Sequence, residues 1–404
     1  MTPLIPDHVK RFIAISLLLL LAACTPPAPT ETNVRSKAEL TYLADGKLRH
    51  LELYGKPYAR GLAHGRLLKD DIKAVTDSLL LDIERTAGGD PRDFITRFLA
   101  ETDFVTAIKT HTPELLEEIK GIADGSGIDH DIIMMHQLGD EFFFNSEYIF
   151  AHKCSSIGIN KTDNHPAIAA QNMDIPHYFH GYQTVMHITE SDGRESIVLT
   201  IPGHIGITGM SSAPVSINCN ILMQLDYARK GLPVSFIVRG VLKQNSYEEA
   251  RDFLHRIPHA SAQNYLIGGE EQVGSFECSA TAITEFRPFA EAPFTYHTNH
   301  PLTNESFSVR YYEILEEHGV SLEEAMTFCQ RLPSFQQRFD STTTDFGIAE
   351  IMEVLSSRDH EGVDVLSNSL TYASVVYELS ANPVFHIAPG KPHETAYEEL
   401  VFGK

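Results

Sequence analysis

The chain has 404 residues, with 54 acidic against 32 basic side chains and a net charge of −22 when histidine is neutral. Nucleic-acid binding rests on phosphate neutralisation, so an acidic chain with no Lys/Arg run is a poor candidate for it, and the same deficit argues against broad electrostatic adhesion to anionic membranes. The length allows one large domain or two small ones; tryptophan is absent, and five cysteines without a C-x-x-C pair do not support a zinc ribbon.

At the start, Lys10 and Arg11 precede an apolar run from Phe12 to Leu21, too short for a good membrane span. Leu21-Ala22-Ala23-Cys24 then has the small-residue pattern of a cleavage site and resembles the bacterial lipobox. The resemblance implies that 1–23 is a signal peptide and that Cys24 becomes the lipidated first residue. Thr25, rather than an aspartate, after Cys24 points by the same rule to the outer membrane, facing the periplasm. The next stretch, TPPAPTETNVRSK, is Pro/Thr-rich and almost without apolar side chains. It cannot bury enough surface to offset its ordering entropy, so 24–38 reads as a flexible tether. No second low-complexity linker follows, and 39–404 reads as a single domain.

Within that domain, apolar spacing from Arg60 to Ala87 predicts one amphipathic helix. Thr112-Pro113 begins another, which Gly125 and Gly127 end. From Cys154 the texture changes to short apolar segments joined by Gly, Asp and Asn turns: 155–160, 167–171, 184–189, 196–202, 215–222, 265–268 and 274–278 read as strands. The glycine-rich run 203–209 has no Lys-Ser/Thr after it and reads as a tight strand turn. Val234 to Leu242 reads as a helix, and Arg239 within it, like Arg310 further on, as a helix-surface residue. Ser246–Glu249 and Ser321–Glu324 are capping-box patterns at further helix starts. Strands return at 371–379 and 384–388. Helices, many strands, helices and strands again suggest an α+β layout. Cys219 and Cys278 lie in strand-like runs and Cys329 in a helical pattern, so free structural thiols are expected. His177 and His180 could share a helix face, but histidine is plentiful at 20 residues and no metal site or cofactor is expected.

The run CSSIGINKTDNHPAIAAQNMDIP, from Cys154 to Pro176, reads as a β-hairpin whose turn, Lys161 to His165, brings the Asp174 end opposite the Cys154 end. It resembles the nucleophile region of the penicillin acyltransferase-like cysteine family of N-terminal nucleophile hydrolases. GKPYARGLAHGRLL (55–68), LLEEIKGIADGSGI (115–128), SINCNIL (216–222) and HTNHPL (297–302) resemble other segments of that family in the same order, so the resemblance runs from about Gly55 to Val376. It implies a four-layer αββα sandwich of two stacked antiparallel sheets between helices.

The resemblance also implies the chemistry. The bond between Lys153 and Cys154 would be cut by an N-to-S acyl shift, leaving Cys154 with a free α-amine that serves as its own base. Lys153 stands where the family often has glycine. Asp174 matches an aspartate that orients the amine; Asn299 matches an asparagine donating into the oxyanion hole. Asn220 matches a second asparagine near the substrate carbonyl, Ser279 a serine near the site, and Asn172 is either a substrate contact or a turn residue. The family's Ser-Arg pair corresponds to Ser367-Asn368, without the arginine, so penicillin is not implied as substrate. The expected activity is hydrolysis of a linear N-acyl amide, or acyl transfer, through a Cys154 thioester, with the two cut pieces staying associated. The alternative is a non-catalytic envelope lipoprotein that keeps the fold as a binding scaffold.

Overall fold

The hairpin that opens at Cys154 supplies two interior strands of the smaller of two sheets. In the computed structural model, residues 37–144, 154–340, 346–359, 362 and 364–403 are described. The expected signal peptide, Cys24, nearly all of the tether and Lys153 lie outside them. Among the described residues, fifteen strands form two sheets: β1 Glu39–Leu43, β2 Leu48–Tyr54, β3 Ser155–Ile159, β4 Ala167–Asp174, β5 Thr184–Thr189, β6 Glu195–Thr200, β7 Thr208–Ser211, β8 Ser216–Ile221, β9 Gln263–Gly268, β10 Val273–Cys278, β11 Ile283–Phe286, β12 Phe294–His297, β13 Thr371–Leu379, β14 Val384–Ala388 and β15 Glu398–Val401. The nine-stranded sheet runs β1-β2-β5-β6-β7-β8-β9-β10-β11, and the six-stranded sheet β12-β3-β4-β13-β14-β15. The sheets face each other, tied by Ser156 Oγ donating to Asn220 Oδ1 at 2.7 Å and by Thr208 and Tyr377 hydroxyls 2.9 Å apart.

Alternation sorts side chains between layers. Along β4, Ala167, Ala169 and Met173 join the core that includes the nine-stranded sheet, whereas Ile168 and Ala170 pack with Phe335, Ile351 and Leu355 of two outer helices, Arg331–Arg338 and Ile348–Leu355, and with Phe339 just beyond the first. Helices from the Pro57–Ser126 region and Val234–Val241 cover the other side, giving the αββα sandwich. One pair departs from the antiparallel expectation: β2 and β5 are parallel. The whole N-terminal helical layer and the β3–β4 hairpin separate them in sequence, a connection long enough for a parallel crossover.

The helix expected over 60–87 divides at Leu68, whose φ and ψ of −113° and 23° end Pro57–Leu67 before Lys69–Ala87 begins. The first piece lies against Glu114–Ser126 through four glycines. A Cβ on Gly61, Gly65, Gly121 or Gly125 would meet the partner helix's main chain closer than van der Waals contact allows. Between them Glu118 is buried with two arginines: Arg60 Nη2 at 2.8 Å and Arg239 Nη1 at 2.7 Å. Arg239 is therefore not a surface residue. It is 3% exposed and also donates to Ile205 O at 2.9 Å. Burial alone would raise the Glu118 carboxyl; the guanidiniums of Arg239 and Arg60 outweigh it and hold the group down at about 2. Arg310 does lie at the surface, paired with Glu313 and Glu317. Ser321–Glu324 is a complete capping box; at Ser246 the hydroxyl caps Glu249 N, but the Glu249 carboxylate turns to Asn245. The four described cysteines are free thiols.

Candidate active site

Cys154 immediately precedes β3. Register pairs Ser155 with Asn172, so the hairpin sets Cys154 beside Met173 and Asp174, as the sequence pattern predicts. Its Sγ lies 3.6 Å from Met173 Sδ and 3.8 Å from the main-chain oxygen of Asp174, and it is 6% exposed. Burial, reinforced by the Asp174 carboxylate, pushes the thiol up to about 12. Neither of these partners of Sγ is a base, and the sulfur is a thiol at neutral pH.

The main chain of Cys154 is gripped at both ends. Its N–H donates to Asn299 Oδ1, and its carbonyl accepts from Arg331 Nη1 at 2.5 Å. Arg331 also donates to Ser155 Oγ at 3.0 Å and, through Nη2, to Asn299 Oδ1 at 3.3 Å. Its Nε pairs with Asp364 at 2.8 Å. A planar guanidinium with five donors suits this four-way role. Asn299 Nδ2 donates to Ile221 O at 3.1 Å. The amide oxygen of Asn299 therefore faces the Cys154 nitrogen, and one of its two N–H donors is already used. Asp174 is buried and accepts from Asn368 Nδ2 at 2.5 Å.

The remaining expected residues sit elsewhere. Asn172 faces outward along β4, opposite in parity to Met173, and donates to Leu355 O and Leu366 O at 2.8 Å each. It ties the outer helical layer to the sheet and does not line the cavity at Cys154. Asn220 is fully buried between the sheets, where its Oδ1 accepts from Ser156 and from Asn264 Nδ2 at 3.1 Å. Ser279 shapes the β10–β11 turn: its hydroxyl accepts from Thr281 N and Ala282 N and bonds Ser306 Oγ at 2.7 Å. None of these three lines the cavity. In the sequence Arg331 is an ordinary arginine before Leu-Pro, with no signal of this role. In the sequence Asn368 stands out only as the place where the family's arginine is absent.

The cavity at Cys154 is mostly apolar, walled by Phe142, Phe143, Met173, Ile175, Phe179 and Ile201. Asp140 enters it with Gln263 Nε2 donating at 2.8 Å, and burial pushes the Asp140 carboxyl up to about 6. Its neighbour Glu141 is pushed to about 7 by burial and then by Asp140 itself. A second thiol in the cavity wall is Cys219, whose Sγ contacts Ile207 O at 3.3 Å. Outside the wall, in the field of Arg331, Cys329 donates to Thr298 Oγ1 at 3.4 Å. Burial would raise Cys329, but the Arg331 cation and contacts from His300 and Thr298 bring it down to about 6.

Two facing sheets between helical layers, with a cysteine leading an inner strand at a cavity, define an N-terminal nucleophile hydrolase-type fold. Residues 160–324 match the model of the family "Acyl-coenzyme A:6-aminopenicillanic acid acyl-transferase", and the chain carries that family's pattern over this range. The range includes Asn172, Asp174, Asn220, Ser279 and Asn299; Cys154 lies just before it, and the range is narrower than the span over which the sequence resembles the family. Protein dcd1A of Dictyostelium discoideum is 26% identical over 284 residues, 62% of this chain and 62% of that protein. Protein dcd1B of the same organism is 26% identical over 250 residues, 55% of this chain and 48% of that one. The chain thus spans less than two thirds of either relative. Among solved structures, a mutant conjugated bile acid hydrolase from Clostridium perfringens is 12% identical with a TM-score of 0.36, covering 62% of this chain and 97% of that one. Penicillin V acylase from Agrobacterium tumefaciens is 12% identical with a TM-score of 0.34, covering 58% and 82%.

Proposed function

We propose that this protein is a self-processing cysteine amidohydrolase that cleaves linear N-acyl amides, with its nucleophile and its base both on Cys154. The observation that carries the reading is the position of Cys154: its sulfur opens on an apolar cavity while Asn299 and Arg331 hold its nitrogen and carbonyl. In the first step the thiol attacks the carbonyl of Lys153, the acyl group passes from nitrogen to sulfur, and water releases the Lys153 carboxylate. Cys154 then carries an α-amine, which titrates at about 8. That amine supplies the base missing from the unprocessed site. It takes the thiol proton as sulfur attacks a substrate acyl carbon and returns it to the leaving amine nitrogen. Water then releases the acid from the thioester; an acceptor amine would give acyl transfer instead.

In this scheme Asn299 Oδ1 accepts from the α-amine, and the second N–H of its amide serves the oxyanion. The buried Asp174 carboxylate favours the protonated amine formed during attack. An apolar acyl chain fits the walls of the cavity. The lipobox pattern supports anchoring through Cys24 at the outer membrane, facing the periplasm. The test is mass spectrometry of purified protein after exposure to a mixture of N-acyl amides. Two pieces, 24–153 and 154–404, with an acyl adduct on Cys154, are expected. An adduct on another residue, or cutting at the same bond in Cys154→Ala, would overturn the reading.

A further inference from the structure

On the far reach of the nine-stranded sheet, alternation places His50 and Glu52 of β2 on one face. The parallel register sets His187 of β5 directly beside Glu52. One potential ligand atom from each of His50, Glu52 and His187 lies within 4.8 Å of the others. The two imidazole rings face one another, with centroids 6.2 Å apart and planes 30° apart.

We propose that these three side chains form a divalent-metal site, with zinc as the metal their donor set fits. Two imidazoles and one carboxylate are a recurrent three-ligand zinc set that leaves a fourth position for water. At zinc–ligand lengths of about 2.0–2.1 Å and near-tetrahedral angles, ligand atoms stand roughly 3.3–3.6 Å apart, so side-chain rotations that draw the three atoms together by about 1 Å close the site. The outer contacts have the form such ligands require. His187 Nε2 lies 2.5 Å from Glu195 Oε2, and His50 Nδ1 lies 3.5 Å from Thr41 Oγ1. Each ring thus has a polar contact at one nitrogen, the arrangement in which a carboxylate or hydroxyl orients a histidine that ligates through the other. Tyr54 Oη donates to Glu52 Oε2 at 2.9 Å, and Glu195 accepts from Gly403 N at 3.0 Å. Phe402 packs edge-on against His187 with ring centroids 5.9 Å apart and partly covers the cluster.

His50 and Glu52 precede residue 153 and His187 follows it. A bound ion would thus join two stretches of chain that are distant in sequence, at the parallel β2–β5 seam. The site is separate from Cys154 and does not depend on processing or on amide hydrolysis.

The test uses the full-length folded protein carrying Cys154→Ala and Cys329→Ser, so that neither of these two thiols competes for metal. Zinc is titrated against a chromophoric chelator, and cobalt is followed by its visible absorption. One equivalent of zinc, a cobalt spectrum without thiolate charge transfer, and a higher melting temperature with zinc are expected. His187→Asn and the near-isosteric Glu52→Gln should each weaken zinc binding by about 100-fold. Glu195→Gln should weaken it by roughly 10–100-fold, the range typical of a residue that orients a metal ligand. Circular dichroism checks that each variant is folded; should His187→Asn fail this, Glu52→Gln decides. The absence of stoichiometric binding, or binding that Glu52→Gln leaves unchanged, would overturn the proposal.

Discussion

Arg331 is the residue on which the site's polar contacts converge: it touches Cys154 O, Ser155 Oγ, Asn299 Oδ1 and Asp364, and it is 3% exposed. It also lowers the thiol of Cys329. This gives a prediction with a defined sign. The thiolate is the reactive form of cysteine, so alkylation of Cys329 should follow a group titrating near pH 6, half complete there and flat above about pH 7. Arg331→Met should move that profile to higher pH. Peptide mass spectrometry after brief alkylation across pH 5–9 reads it, and an unmoved profile would show that Arg331 does not set the thiol's charge. Asn299 supports a second prediction. If its second N–H serves the oxyanion, Asn299→Ala should lower amide turnover by about 100-fold or more, the usual loss for one such donor. Alkylation of Cys154 in the cut protein should persist. Because Cys329 is also reactive, that assay belongs in a Cys329→Ser background; near-normal turnover would remove Asn299 from the oxyanion role.

Among the elements, the crossing of Pro57–Leu67 with Glu114–Ser126 combines two demands. Four glycines let the backbones touch, and the close approach seals the Arg60–Glu118–Arg239 group from water. Breaking a buried ion pair by removing one partner costs about 3–5 kcal/mol, so Glu118→Gln should destabilise by that order. The pH dependence follows from a folded value near 2 against an ordinary carboxyl value of 4.5. The contribution of Glu118 is complete above about pH 4.5 and is lost as pH falls toward 2. Urea melts at pH 7, 4 and 3 should show the gap between wild type and Glu118→Gln shrinking as the solution becomes more acidic; a constant gap would mean the carboxylate is not held charged. The glycine-bearing segments were legible as helices from their apolar spacing, but not as partners, because spacing says nothing about which helix a glycine approaches. The β3–β4 hairpin was legible because turn residues separate two apolar runs. Alternation from the core residue Met173 also sends its neighbour Asn172 to the outer face, a signal present in the sequence. Arg239 was misread because one arginine in an apolar helix shows its burial only when Glu118 is brought opposite. Arg331 reaches the site from a segment remote in sequence, and no local pattern marks it; Ser367-Asn368 stands where the family has its Ser-Arg pair, but that place does not reveal that Asn368 binds Asp174.

For the whole molecule, the proposed cut after Lys153 has a consequence that the sheet order makes testable. The piece before it supplies β1 and β2 to the nine-stranded sheet, where β2 pairs with β5 of the following piece from Arg49–Thr184 to Tyr54–Thr189. Its helices carry Ile72, Val75, Leu79 and Ile119 into the same core as Val198, Ile205 and Phe236. Glu118 is bound by Arg60 from its own piece and Arg239 from the other, and Gly203 N donates to His64 Nε2 across the same divide at 2.9 Å. Each buried aliphatic side chain contributes about 1.5–3 kcal/mol relative to exposure, so separating the pieces would expose far more apolar surface than a folded domain's net stability can offset. Cutting should therefore leave a single particle. On a sizing column in native buffer the two pieces should co-elute at the position of the uncut Cys154→Ala protein, and they should part only in denaturant. After separation, neither piece alone should show a cooperative melt, because each lacks strands or helices that complete the other's core. Elution of two independently folded pieces without denaturant would contradict the interleaved topology that sets Cys154 in its cavity.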